Sequence, residues 1–251
     1  MALFVGAGYL EKYINVFVDN YITLYRGLIS VGVNYEDIAE PKIVYCNDLS
    51  GSEVRKAKKR LTSVTGKKLV LVHDINDWNV EEIMYSTRNK LRMEFKDTFP
   101  KESKVYFYFP IDDKIRPCTK DELIYLAKQK TPTACMFKFY ANQASNNFTA
   151  ATRPINSYKD IHPGDWGGYC AYNILDEDKC PLYPEIAIPN VAFYIELYKA
   201  GYQQYQSREN CIEHLRHKDS HHFKYKDSEM SQKVNDYLIA QRNDLAKKGY
   251  K

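Results

Sequence analysis

The densest group of metal-ligand side chains lies near the carboxyl end of the sequence. Cys211 and His214 are followed by His217, and His221 and His222 come shortly after. Zinc takes four such ligands in a tetrahedron, and its sites are usually built from two well-spaced pairs. No second cysteine pair accompanies this group, and basic residues lie between the histidines. The pattern therefore predicts a hydrated, basic helix end and turn, and no metal site.

A glycine-rich fragment, Gly6-Ala7-Gly8, follows a short apolar run near the amino end. In dinucleotide-binding proteins this turn needs a third glycine for close packing of the helix, and Glu11 occupies that position here. The sequence also lacks a Walker phosphate loop, a Gly-x-Ser-x-Gly elbow and a His-Glu-x-x-His motif. We therefore predict no catalytic residues and assign no cofactor-binding residue.

A cysteine nucleophile is the remaining candidate for catalysis. The order of elements between Leu28 and Cys135 resembles a caspase-like domain, which implies a cysteine peptidase or its inactive relative. A thiol nucleophile needs a histidine base. The strand ending at Phe109 is followed instead by Pro110-Ile111-Asp112-Asp113. Cys135 starts the next strand and is expected to be a packed thiol, so this interpretation is the alternative one.

The overall composition excludes several classes of protein. The chain has 251 residues, of which 44% are hydrophobic and 27% charged, with a net charge of +4. Such a chain can bury a core. Its one basic run, residues 55–60, is typical of a solvated helix face, so no specific nucleic-acid partner is expected. The sequence has no signal peptide and no membrane span, which predicts a cytosolic protein with six free cysteines and no membrane partner.

Spacing of apolar residues by three and four from residue 9 to residue 29 predicts a helix. The β-branched residues between Ile14 and Val18 favour a strand as the alternative for that segment. Beyond this helix, Leu28–Tyr35 and Lys42–Cys46 are predicted strands. The Ser50-Gly-Ser-Glu53 sequence then fits a capping box, which opens a helix to about Leu61.

Strands and capped helices alternate through the rest of the chain. This alternation predicts an α/β fold in which a parallel or mixed sheet is covered by helices on both faces. No linker divides it into two domains. The remaining predicted strands are 68–73, 105–109, 134–140, 169–175 and 185–188, and the remaining helices are 79–95, 119–130, 190–205 and 228–247.

Several segments resemble, in order, the polyhedrins of cypoviruses, and the high tyrosine content fits the same family. The resemblance implies a three-layer α/β/α sandwich with a mixed sheet and a projecting N-terminal helix. Residues 1–27 would form that helical arm, and residues 28–251 a single domain. The segments that carry the resemblance are Arg26-Gly27 before the strand at 28–35, Ser52-Glu53 at a helix start, the strand 104–109 before Pro110, and Asn190-Val191.

Membership of that family implies a structural protein without enzymatic activity. Its trimers would pack with copies of themselves around virus particles, in occlusion bodies in the cytoplasm of an infected cell. No cofactor is required, although a bound nucleotide is compatible with the resemblance.

The sequence contains 22 tyrosines, whose rings bury apolar area while their hydroxyls keep a polar contact. They are candidate contacts in such a lattice, and the alternative is an ordinary core face. Raising the pH to about 10.5 would ionise most free tyrosines, so contacts made by them would dissolve in alkali. The candidate contact residues are Tyr9, Tyr13, Tyr21, Tyr25, Tyr194, Tyr198, Tyr202 and Tyr205.

Overall fold

The computed structural model describes residues 2–7, 13–45, 51–73, 89, 104–110, 113–142, 147–150, 154–161, 170–184, 189–215 and 228–250. Within these ranges the chain forms one nine-stranded sheet and five α-helices. The strands are β1 (Ala2–Ala7), β2 (Lys42–Tyr45), β3 (Val70–His73), β4 (Lys104–Pro110), β5 (Lys114–Ile115), β6 (Thr133–Asn142), β7 (Asn147–Ala150), β8 (Cys170–Ile174) and β9 (Gln203–Leu215). The helices are α1 (Ile14–Ser30), α2 (Ser52–Thr65), α3 (Thr119–Lys128), α4 (Pro189–Lys199) and α5 (Ser228–Lys247).

The sheet is mixed, with the strand order β3-β2-β1-β4-β8-β6-β9-β5, and β7 pairs with β6. The four strands β3, β2, β1 and β4 are mutually parallel. Strand β8 runs antiparallel to both β4 and β6, and β6 and β9 are parallel to each other. In the part of the chain that is described, no helix has the length and apolar content needed to span a membrane.

Helices cover both faces of this sheet, and the strands supply alternate side chains to two cores. Val105 and Phe107 of β4 pack with α1, α2 and α3, whereas Tyr106 between them packs with α4 and α5. Cys135 of β6 faces the first core and Met136 the second. Alternation of successive side chains between two cores is what a strand buried on both faces requires. The predicted three-layer α/β sandwich with a mixed sheet is therefore confirmed.

The predicted projecting N-terminal helix is wrong. Strand β1 lies inside the sheet between β2 and β4, and Ile14, Phe17 and Val18 of α1 are fully buried in the first core. The helix interpretation of residues 14–18 is nevertheless confirmed over the strand alternative. The boundary predicted between residues 27 and 28 falls inside α1, because the apolar face of that helix continues into the core.

Two further predictions differ from the structure. Leu28–Tyr35 is not a strand, because α1 continues to Ser30 and Gly32 turns the chain with a φ of +86°. The aromatic helix predicted to run through residue 205 ends at Lys199, and Tyr205 belongs to β9. The predicted helix 79–95, apart from residue 89, and the predicted strand 185–188 lie outside the described residues.

Strand β9 bulges against β6. Its thirteen residues oppose the ten of β6, and the register shifts at Lys138. At the bulge the backbone N–H of Lys138 donates to Ser207 Oγ at 2.8 Å, and that hydroxyl donates to the carbonyl oxygen of Glu209 at 2.7 Å. Strand β9 thus has three more residues than β6 over the paired stretch. Because three is an odd number, each side chain after the bulge lies on the opposite face of the sheet from the one that regular alternation would give it. Gln204 thus bonds to α4, whereas Ile212 packs with the α1 core.

We expect Phe107→Ala to lower the free energy of unfolding by about 3–5 kcal/mol, because it leaves a cavity in a closed core. The ring is fully buried, 5.1 Å from the ring of Phe137. Urea unfolding followed by circular dichroism measures the change. Ile239→Ala is the control, because that side chain is 52% exposed and surface changes stay within about 0.5 kcal/mol. Equal effects of the two substitutions would contradict the two-core description.

Candidate functional site

The strand order reverses direction at β1. From β1 the chain passes through α1 to β2 and through α2 to β3 on one side, and the next strand in sequence, β4, lies on the other side of β1. In open α/β sheets, ligands bind beyond the carboxyl ends of the strands at such a reversal, because the connections leave in opposite directions and open a crevice. Ala7 and Pro110 pair at that edge. The crevice between β1 and β4 is therefore the candidate site.

Two acidic residues follow β4 in the sequence. Asp112 and Asp113 come directly after Pro110-Ile111 in the sequence. Asp113 is 1% exposed, whereas residues 111 and 112 lie outside the described residues, as do residues 8–12 after β1. An acidic pair at the carboxyl end of a central strand is suited to holding a hard cation or to orienting hydroxyl groups.

Helix α1 holds the backbone that follows this acidic pair. The side-chain amide of Asn20 donates from Nδ2 to the carbonyl oxygen of Asp113 at 2.6 Å. Its Oδ1 accepts from the backbone N–H of Ile115 at 3.0 Å. Both bonds are buried, where a hydrogen bond is electrostatically stronger than in water. The amide therefore fixes the path of the chain on both sides of Lys114.

The other side of the same segment is anchored on β9. Lys114 and Ile115 form β5, which pairs with β9. The carbonyl oxygen of Cys211 in β9 accepts from the backbone N–H of Arg116 at 2.8 Å and from the Thr119 hydroxyl at 3.1 Å. The acidic pair is thus followed by a backbone that is held from α1 on one side and from β9 on the other.

A small pocket lies beside the start of α3. It measures about 160 Å³ and is lined by Cys118, Asp121, Glu122, Arg208 and Glu209. Pockets for drug-sized ligands usually measure about 300–1,000 Å³. The lining has three carboxylates and one guanidinium, so its net charge is negative and it repels an anionic ligand. This pocket therefore suits neither a nucleotide nor a phosphate, and we place the candidate site at the β1–β4 crevice.

Cys118, which lines this pocket, belongs to a group of thiols together with a phenol. The Cys118 thiol donates to Cys211 Sγ at 3.6 Å, and burial raises the pKa of both thiols. Burial also raises the pKa of Cys135 well above its ordinary value and that of Tyr205 in the same way. These groups stay protonated at neutral pH. Cys135 is therefore a packed thiol, which is the state predicted for it, and not a nucleophile.

The cysteine–histidine group near the carboxyl end gives no metal centre in the described structure. Cys211 is fully buried in the α1 core. His214 contributes backbone to the end of β9, while His217, His221 and His222 lie outside the described residues. Among described residues, no three His, Cys, Asp or Glu side chains come together to hold a metal ion.

The tyrosines predicted as lattice contacts are buried or half-buried where the structure describes them. Tyr21, Tyr194 and Tyr202 are buried, which corrects their assignment as contact residues in favour of the core alternative. Burial raises the pKa of Tyr21, Tyr198 and Tyr205, so these phenols resist the ionisation expected of free tyrosine. Tyr13, Tyr25, Tyr198 and Tyr205 are half-buried, and Tyr9 lies outside the described residues.

Comparison with known proteins identifies the fold. No protein-family model and no curated protein sequence matches the chain. The structure of S. aureus TarS 1–349 in complex with UDP-GlcNAc superposes with a TM-score of 0.61 at 11% identity, covering 96% of this chain and 66% of that one. Another crystal structure of S. aureus TarS 1–349 gives a TM-score of 0.56 at 12% identity, covering 96% of this chain and 64% of that one. This chain spans slightly less than two thirds of those chains.

These similarities show an α/β fold that is shared with nucleotide-sugar enzymes. The same TarS fragment has also been crystallised with UDP. The expectation of a non-enzymatic occlusion-body matrix protein is wrong, and so is the caspase-like alternative. Tyrosine content and the order of helices and strands suggested those families, but neither specifies how the strands are ordered in the sheet.

Asn20 and Asp113 were missed as functional candidates in the sequence. Asn20 carries a recognisable signal, because it interrupts the apolar face of α1 between Phe17 and Leu24. A polar residue at a buried helix position needs a specific partner. In the sequence, Pro110-Ile111-Asp112-Asp113 was considered only because it lacks the histidine that a cysteine peptidase needs. The position of two acidic residues directly after a predicted strand was the signal for a candidate site.

The raised tyrosine pKa values predict loss of stability in alkali. Folded tyrosines such as Tyr21 keep their protons above pH 10, whereas the unfolded chain releases them near its ordinary pKa of about 10. The unfolded state then binds fewer protons, so the free energy of unfolding should fall above about pH 10. Because burial also raises the pKa of Cys118, Cys135 and Cys211, the fall should begin near the ordinary thiol pKa of about 8.5. Urea unfolding at a series of pH values measures this.

Tyr21→Phe tests the contribution of one phenol. Its hydroxyl donates to the carbonyl oxygen of Ala39 at 2.5 Å, so at pH 7 the substitution should cost about 1–3 kcal/mol. Because phenylalanine does not ionise, the gap between variant and wild type should narrow as the pH rises above about 10. A gap that stays constant to pH 11.5 would contradict this explanation.

Proposed function

We propose that the chain is the catalytic domain of a glycosyltransferase. It binds a nucleoside diphosphate sugar in the β1–β4 crevice and transfers the sugar to an acceptor hydroxyl. In that reaction the bond between the sugar anomeric carbon and the diphosphate oxygen breaks, and a bond from the acceptor oxygen to that carbon forms. The diphosphate leaves with the bonding electron pair, and the acceptor hydroxyl releases its proton.

One observation carries the proposal. An acidic pair follows the central strand β4 at the point where the strand order reverses, in a fold shared with a TarS fragment that has been crystallised with UDP-GlcNAc. The fold likeness supports the class of ligand. The reversal and the acidic pair support the position of that ligand on this chain.

Asp112 and Asp113 would bind a divalent cation, and this cation would offset the negative charge of the diphosphate. Mg²⁺ and Mn²⁺ prefer oxygen ligands and often bind through one or two carboxylates together with substrate phosphates. Two adjacent carboxylates, followed by a backbone held by buried hydrogen bonds from Asn20, fit that donor set. When bound, such an ion neutralises the charge that develops on the leaving diphosphate.

The test is equilibrium binding of UDP and UDP-GlcNAc to the full chain by isothermal titration calorimetry, with Mn²⁺ and then with EDTA. We expect both ligands to bind with Mn²⁺ and to bind at least about tenfold more weakly with EDTA, which is about 1.4 kcal/mol. Asp112→Asn should weaken the Mn²⁺-dependent binding by at least the same factor, because it removes a charged ligand of the cation.

Asp121→Asn is the matched control, because that carboxylate lies on α3 and its side chain is 63% exposed. It should leave nucleotide binding within about twofold of wild type. Absence of UDP binding to wild type, or equal binding by Asp112→Asn and wild type, would contradict the proposal. GDP and dTDP, titrated in parallel, determine whether the base is selected.

A further inference from the structure

Two cysteine thiols meet where the start of α3 lies against β9. The Sγ atoms of Cys118 and Cys211 are 3.6 Å apart, although 93 residues separate the two cysteines in the sequence. In a disulfide the sulfur atoms lie about 2.05 Å apart. A movement of about 1.5 Å, which is within the range of small side-chain rotations, would therefore join them.

The backbone on both sides of this contact is held by hydrogen bonds. The carbonyl oxygen of Cys211 accepts from the backbone N–H of Arg116 at 2.8 Å and from the Thr119 hydroxyl at 3.1 Å. Arg116 and Thr119 lie on either side of Cys118 in the sequence. The two thiols therefore belong to chain segments whose separation is fixed, so they stay within reach of each other.

One thiol of the pair can be reached from outside, and the other cannot. Cys211 is fully buried, whereas Cys118 is half-buried and lines the pocket beside α3. Among the cysteines that the structure describes, the remaining three, Cys135, Cys170 and Cys180, are all buried. A reagent that enters the pocket thus meets Cys118 first, and the only sulfur directly behind it in the described structure is that of Cys211.

The pocket restricts which reagent can reach Cys118. Its volume is about 160 Å³, and its three carboxylates and one guanidinium make the lining negative. Hydrogen peroxide is uncharged and little larger than a water molecule, whose share of liquid volume is about 30 Å³. A peroxide therefore fits this pocket in both size and charge, whereas a larger anionic oxidant does not.

We propose that Cys118 is a site of reversible oxidation by peroxide, and that Cys211 is the partner that converts the oxidised sulfur to a disulfide between α3 and β9. The cross-link would join two elements that are now held by hydrogen bonds alone at this point. This inference goes beyond the proposed nucleotide-sugar function and does not depend on it.

The reaction has two steps. The Cys118 thiolate attacks one oxygen of the peroxide, the O–O bond breaks, and the hydroxide that leaves takes up a proton to become water. The Cys211 thiol then attacks the sulfenic acid on Cys118. The S–O bond breaks, and the hydroxide leaves as a second water with the proton of Cys211. Two thiols are oxidised to one disulfide, and one peroxide is reduced to two waters.

The experiment treats the reduced full chain with hydrogen peroxide at pH 8.5. The thiolate is the reacting form, and burial raises the pKa of Cys118, so a mildly alkaline pH is used. Remaining thiols are counted after denaturation, and alkylated peptides are mapped by mass spectrometry. We expect two of the six thiols to be lost, one peptide pair to be joined through Cys118 and Cys211, and dithiothreitol to restore both thiols.

Three variants locate the reaction. Cys118→Ser and Cys211→Ala should each abolish the cross-link, because each removes one of its sulfur atoms. Cys180→Ala is the matched control, since that thiol is buried in the core on the other face of the sheet, and it should leave the cross-link unchanged. Circular dichroism records whether each variant is folded. If Cys211→Ala does not fold, Cys118→Ser, which changes a half-buried side chain, still makes the comparison.

Thermal unfolding gives a second measurement. A disulfide that closes a loop of this length restricts the unfolded chain, so oxidised wild type should melt about 5–15 °C higher than reduced wild type. Cys118→Ser treated with peroxide in the same way should show no increase. The proposal is overturned if all six thiols stay free, if other cysteines are joined, or if Cys118 is oxidised to a sulfinic acid without a cross-link. An oxidised protein that melts no higher than the reduced one would also overturn it.

Discussion

The register of β1 between β2 and β4 is the constraint on which the rest of the structure depends. Its six residues pair with β4 from Ala2 opposite Val105 to Ala7 opposite Pro110. The same strand pairs with β2 on its other side. A slip of one residue would move every side chain of a strand to the other face of the sheet. The pairing of Ala7 with Pro110 at the edge of the candidate crevice therefore depends on this one register.

Tyrosines are part of the interior of this protein. The Tyr21 hydroxyl reaches the carbonyl oxygen of Ala39, and the Tyr202 hydroxyl reaches that of Asn173. The Tyr172 ring lies 5.4 Å from the Tyr106 ring and 5.3 Å from the Phe193 ring. A phenol in a core fills apolar volume and also satisfies a backbone acceptor, which constrains the packing more than phenylalanine would. A high tyrosine count is therefore compatible with a core as well as with a contact surface.

Local patterns were enough to predict the elements whose signal is contained in their own residues. Helix α5 spans Ser228–Lys247, as its spacing and the glycine after it indicate, and β4 follows from its continuous run of β-branched and aromatic residues. Strand β9 was missed because its first half is polar. The site was missed for a different reason. The hydrogen-bond partner of Asn20 is the backbone at Asp113, ninety-three residues away, so the sequence marks Asn20 as a polar residue on an apolar helix face and does not identify its partner.

The bulge between β6 and β9 restricts the number of residues that β9 can contain. Two residues more or fewer around Ser207 would leave the later side chains on their present faces, whereas one more or fewer would exchange them. Ile212 would then leave the α1 core. Homologous chains should therefore accept insertions and deletions here in steps of two, and a single-residue change should be accompanied by a second one farther along the strand.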